Sequence, residues 1–359
     1  MAASRPVSLA IGGRIGERIP PATLECDRPP PASVTDLSDK RPAPRPLAPL
    51  AAWFDRNAAL GPALAVAIEV CVFSALAPGF LTVANLINIS LQTAITGILA
   101  VGMTLVILTG GIDLSIGSLV ALTGVTAAFI AGTGGTLGLG AALAVGFGAG
   151  LLTGTLVACF RVAPFVVTLA GLTIARGVAF LLTGGRSVGG LPAEFTVWGQ
   201  ANPFGLPLPV WIMILIVALG HFLLSRTVFG RQVYAVGGNA EASWLAGVPV
   251  PAVLLAVYAL NGLLAGLAGG ILAARLGAGI PNAGQLYELD VIAAVVVGGA
   301  SLTGGRGSVP GSLLGALFIG TLNNGLNLAG VDPYLQKIVL GVVILAAVLV
   351  DSASRRNGR

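Results

Sequence analysis

The side chains able to do chemistry in this 359-residue chain are few, and they stand far apart. Asp113 is a lone carboxylate after paired glycines in Leu108-Thr109-Gly110-Gly111-Ile112-Asp113-Leu114-Ser115. An acid there, or Ser115 beside it, either caps the helix that follows or gates a polar path. Glu288 and Asp290 open the apolar stretch 291–297, where acids favour the positive N-terminal end of a helix. Glu69 and Arg176 lie inside apolar runs and read as groups packed against neighbouring helices. The single histidine, His221, reads as a packed helix residue, not as a proton relay or a metal ligand. Cys26, Cys71 and Cys159 make no metal-ligand or paired spacing, so no disulfide framework, metal site or cofactor is expected. A phosphate-binding loop of the Walker type needs a lysine directly after glycine. The only lysines, Lys40 and Lys337, follow aspartate and glutamine, so ATP chemistry would have to come from a separate chain. No nucleophile, base and orienting acid cluster along the sequence, so no enzyme is expected.

The elements that must hold these groups are membrane helices. Hydrophobic residues make up 55% of the chain and charged residues 9%, with a mean hydropathy of +0.94. Soluble domains carry about 25% charge, so lipid has to be the solvent for much of this surface. The apolar runs give ten crossings, centred on residues 60–79, 90–109, 115–132, 137–159, 164–183, 209–224, 250–274, 287–303, 310–329 and 334–351. The expected fold is all-α: a polytopic transmembrane bundle of about ten helices with both termini cytoplasmic. Residues 1–58 form a proline-rich tail expected to be disordered, 59–352 the transmembrane domain, and 353–359 a second cytoplasmic tail.

Charge placement sets the orientation. Of the 19 Lys and Arg residues, eight lie in residues 1–58 and three in the last five positions. A cytoplasmic N-terminus puts these with Arg161, Arg226, Arg231 and Arg306 on the inner side, as the positive-inside rule requires. The isoelectric point near 9.6 therefore reflects topology and lipid contact, with no nucleic-acid partner expected. The longest outer loop is 184–208.

Residues 227–247 are too long for a tight turn between crossings. Asn239 is placed to cap a short helix over about 240–246, with Glu241 near its positive end and Gly247 able to end it. Ala242, Leu245 and Ala246 would give that helix a small apolar face, suited either to a soluble partner or to the membrane surface. A weak repeat also shows: Leu108-Thr109-Gly110-Gly111, then Gly117-Ser118-Leu119, recurs as Leu302-Thr303-Gly304-Gly305, then Gly311-Ser312-Leu313.

Several of these stretches, in this order, resemble the permease subunits of ribose/xylose/arabinose-type ATP-binding-cassette sugar importers. The matching runs are Gly102–Ser118, Pro164–Gly171 with Ile174-Ala175-Arg176-Gly177, Phe229–Gly247 and Glu288–Gly315. The resemblance covers about residues 60–351. It implies a second permease subunit forming a homodimeric pathway, a cytoplasmic ATPase and a periplasmic sugar-binding protein, in a bacterial inner membrane. It further implies that the ATPase-coupling loop holds Gly238, Asn239, Glu241, Ala242, Leu245 and Gly247. Ser243-Trp244 departs from the family pattern, which has a small residue followed by a basic one. For the translocation path the central helices offer Thr104, Thr109, Asp113, Asn261, Ser301 and Asn323. These are neutral hydrogen-bonding groups apart from Asp113, which favours a sugar or polyol over the zwitterion of a branched-chain amino-acid importer. An ion-coupled carrier working alone is the remaining alternative.

Overall fold

Proline and hydroxyl side chains mark where the helices begin. In the computed structural model, which describes residues 60–357, prolines sit in the first turns at Pro164, Pro209, Pro251 and Pro310. There the missing N–H costs nothing. Thr82 and Thr227 accept the first free amides of two further starts, from Asn85 and Gly230, and Ser308 does the same from Gly311 at the helix that Pro310 opens. The resulting helices are α1 (Leu60–Leu76), α2 (Val83–Leu108), α3 (Ile116–Gly134), α4 (Leu137–Ala158), α5 (Pro164–Thr183), α6 (Ala193–Gln200), α7 (Leu208–Arg226), α8 (Val228–Gly238), α9 (Ala240–Leu245), α10 (Val250–Leu276), α11 (Tyr287–Val297), α12 (Val309–Leu328) and α13 (Pro333–Asn357). Among the described residues there is no strand, only one isolated bridge between Val188 and Gly279. The all-α fold class is as expected. The proline-rich tail, residues 1–58, lies outside the described residues.

Six of these helices, among the described residues, are long and apolar enough to cross a membrane: α2, α3, α4, α5, α7 and α10. Each overlaps one expected crossing. The crossing expected over 287–303 differs. Its helix, α11, has 11 residues, about 16 Å at 1.5 Å per residue, half of a hydrocarbon core. Residues 298–308 then run without a helix to α12. The reason is steric and backbone-borne: a Cβ on Gly298 would lie 2.6 Å from the Gly311 carbonyl carbon, and Gly299 has φ +90°. Two smaller differences follow. The loop expected on the outer side contains α6, whose Phe195 is fully buried. The last helix runs through Asn357, past the expected boundary at 352.

The main apolar core is centred on α2, and α4 packs most closely against α10. Gly146, Gly150 and Gly154 recur every four residues on α4, and Gly262, Gly266 and Gly270 do the same on α10. Such ridges of small residues let helix backbones touch where hydrophobic transfer gives no drive between helices. A Cβ on Gly262 would lie 2.7 Å from the Gly150 Cα, and one on Gly146 would lie 2.8 Å from the Gly266 Cα. Close approach brings α10 against α2 and α3 as well, and it carries Asn261 into the middle of the bundle.

Candidate functional site

Asp113 lies in the break between α2 and α3. It is 2% exposed. Its Oδ2 accepts a hydrogen bond from Asn261 Nδ2 at 2.8 Å. Asn261 stands about 16 Å along α10 from its start. Oδ1 accepts from the Ser115 amide at 2.8 Å and from the Ser115 hydroxyl at 2.6 Å. Ser115 occupies the N-cap position of α3 but makes no side-chain cap. The helix-cap role expected of Asp113 or Ser115 therefore gives way to a buried Asp113–Asn261 link between the α2–α3 break and α10. A carboxylate this deep needs such partners, because water cannot reach it.

The glycines of the 102–111 motif make room for this link. A Cβ on Gly102 would lie 3.1 Å from the Asn261 Cα, and one on Gly111 would lie 2.5 Å from the Tyr258 hydroxyl. Tyr258 is buried, and its Oη has no partner, nor does the Asn261 Oδ1. Sequence reading missed Tyr258. The signal was its place three residues before Asn261, which puts both on one face of α10.

The other expected path residues divide. Thr104 is fully buried; its hydroxyl donates to the Ala100 carbonyl at 2.5 Å and lies within hydrogen-bond distance, 2.7 Å, of the Ser312 hydroxyl, tying α2 to α12. Ser301 is buried beside Thr303, with their hydroxyls 3.0 Å apart. Asn323 is half-buried on α12. Thr109 lines a cavity of about 260 Å³ together with Gly111, Arg161, Pro164 and Tyr258. Asp113, Asn261 and Tyr258 thus gather in one place, and only Thr109 and Tyr258 of these polar groups reach the cavity. Glu69 is buried on α1 with neither carboxylate oxygen paired. His221 is exposed on α7, not packed as expected, since an apolar run does not reveal which of its faces turns outward.

Arg176 does more than fill space. Its Nη1 donates to the carbonyls of Pro281 and Ala283 at 2.9 and 2.8 Å. An intramembrane cation satisfied by backbone carbonyls is a recurrent solution to its desolvation. Here it fastens the segment 277–286, whose other side is held by the paired bonds between Val188 and Gly279. Arg176→Ala is expected to raise amide hydrogen exchange across 280–286 while α10 stays protected. Unchanged exchange in that segment would remove the fastening role.

The expected short helix after Asn239 is present as α9. Asn239 Oδ1 accepts from the Ala242 amide at 2.9 Å, and Gly247 ends the turn with φ +85°. Ala242, Trp244 and Leu245 turn outward, with Trp244 65% and Leu245 74% exposed, and only Ser243 is buried. Gly238, Glu241 and Gly247 are exposed too. The helix before it, α8, is amphipathic and anchored through Tyr234, whose hydroxyl donates to the Gly307 carbonyl at 2.8 Å. Burial pushes the Tyr234 hydroxyl above its ordinary value, which keeps the proton that this bond requires.

Residues 85–348 match the family described as branched-chain amino acid transport system / permease component. The chain is 48% identical to the ribose import permease protein RbsC of Escherichia coli, over 84% of this chain and 95% of that protein. It is 37% identical to the L-arabinose transport system permease protein AraH of Escherichia coli, over 79% and 87% of the two chains. It is also 37% identical to the xylose transport system permease protein XylH of Haemophilus influenzae, over 82% and 96%. No solved structure matches the chain at a significant level.

Proposed function

The chain belongs to the family of branched-chain amino acid transport system / permease components, and we propose that it is the membrane-spanning permease subunit of an ATP-binding-cassette importer for a sugar or related polyol. The observation that carries this reading is the near-full-length similarity to permeases named for ribose, arabinose and xylose. On this reading the chain is a multi-pass protein of the bacterial inner membrane. A secreted binding protein delivers the sugar, and a separate cytoplasmic ATPase, docked on α9, drives the cycle. The absence of a glycine–lysine step in the sequence supports a separate motor.

A second copy of the chain completes the pathway. Support comes from α5, which leaves the cation Arg176 only half-buried. Groups of this kind are costly against lipid and belong against protein or a water-filled path. Thr109, which lines the cavity and is only half-buried, offers a hydroxyl to a neutral polyol. The cavity, about 260 Å³, lies just below the roughly 300–1,000 Å³ of small-ligand sites.

Proteoliposomes test this directly. Uptake should require the ATPase subunit, ATP and the sugar-loaded binding protein together. Uptake by the chain alone, driven by a proton or sodium gradient, would establish a secondary carrier instead.

A further inference from the structure

The two Leu-Thr-Gly-Gly segments of the weak repeat meet in space, and α8 meets both. The Gly305 amide donates to the Leu108 carbonyl at 2.9 Å. That carbonyl ends α2, where a helix leaves its last acceptors open. Gly237, in the last turn of α8, abuts the same pair: a Cβ there would overlap the Leu108 oxygen and lie 2.6 Å from the Gly305 nitrogen. A Cβ on Gly304 would lie 2.8 Å from the Gly237 carbonyl and 2.9 Å from the Gly110 nitrogen. Three backbones are therefore in direct contact, with no side chain between them.

The connection outward is equally short. Asn239 closes α8 and opens α9, so one residue, Gly238, separates the junction from the cap of the exposed helix. The connections inward lead to both membrane-depth breaks. Leu108 precedes 109–115, which carries Asp113 to Asn261. Gly305 lies within 298–308, between α11 and α12, and Tyr234 of α8 holds the same segment at Gly307. Close-packed backbone deforms little, so a displacement of α8 must move both breaks or separate from them.

We propose that this contact of Gly237, Leu108 and Gly305 is where movement of α9 is delivered into the transport path, with Gly237 and Tyr234 as its positioning residues. The proposal rests on the assignment of α9 as the ATPase-docking helix. Gly237 works by bringing no side chain, since any Cβ would wedge α8 away from α2. Tyr234 works by a single bond to the 298–308 segment.

The test uses the assembled transporter in proteoliposomes, with wild type, Gly237→Ala, Tyr234→Phe and, as a bulk control away from the junction, Gly148→Ala. The readouts are ATPase co-purification, ATP hydrolysed and sugar imported. Both junction variants should still bind the ATPase, and ATP consumed per sugar should rise about tenfold, within the usual span of a coupling free energy. Gly148→Ala should match wild type. If Gly237→Ala yields no folded protein, Tyr234→Phe, which only removes a hydroxyl, decides alone. Wild-type stoichiometry in a folded Tyr234→Phe variant overturns the junction. Failure of wild type itself to import with ATP would instead overturn the importer reading on which the proposal stands.

Discussion

Replacing Gly262 by valine is expected to lower the melting temperature of the detergent-purified protein by about 10 °C. The position leaves no room even for the first carbon of a side chain, because a Cβ would lie 2.7 Å from the Gly150 Cα and 2.8 Å from its nitrogen. Both neighbours are backbone, so no rotamer change can relieve the overlap, and α4 must move off α10. Overpacking of this kind costs about 3 kcal/mol or more. The shift also withdraws Asn261, the next residue, from Asp113, and a buried carboxylate then loses a partner that water cannot replace. Gly148→Val supplies the contrast on the same pair of helices. Gly148 is exposed on α4, with nothing within 4 Å of a Cβ, and its replacement should leave the melt unchanged or slightly raised. Equal melting of the two variants would refute the glycine-ridge account of the core.

Most helices were legible in the sequence, because they depend on local pattern. Apolar runs bounded by Pro164, Pro209 and Pro310 have edges that backbone chemistry imposes wherever the chain lies. Asn239, Glu241 and Gly247 similarly mark α9 by capping alone. The failures arise where the deciding partner is distant in sequence. The run 287–303 reads as one crossing, and it breaks at Gly298 because Gly311 comes back against it. Asp113 reads as either a cap or a path residue, and its partner Asn261 lies 148 residues away. His221 reads as packed since hydropathy averages over all faces of a helix. Arg176 reads as a packed cation, but its acceptors are carbonyls of a segment with no motif of its own. The repeated Leu-Thr-Gly-Gly was legible as a pattern, whereas its meaning, two backbones in contact through Gly305 and Leu108, required the fold.

Ala242→Glu separates the folding of α9 from its use. Ala242 stands three residues after the cap Asn239 and is exposed. A glutamate at that position stays exposed in the first turn, and its charge suits the positive end of the helix. The variant should therefore express, assemble in the membrane and melt like wild type. Its new carboxylate lies beside Glu241 on the face that a docked ATPase would cover, flanked by the exposed Trp244 and Leu245. Burying a second unpaired negative charge there costs several kcal/mol, and about 3 kcal/mol weakens docking more than 100-fold. Sugar-stimulated ATP hydrolysis should fall to the level of the isolated ATPase, with co-purification of the two subunits lost in parallel. Ala242→Gln, isosteric and uncharged, should recover most of both, because the loss then traces to charge and not to bulk. Stimulated hydrolysis that survives Ala242→Glu intact would move the docking surface away from residues 239–247, and with it the route by which α8 drives the two breaks.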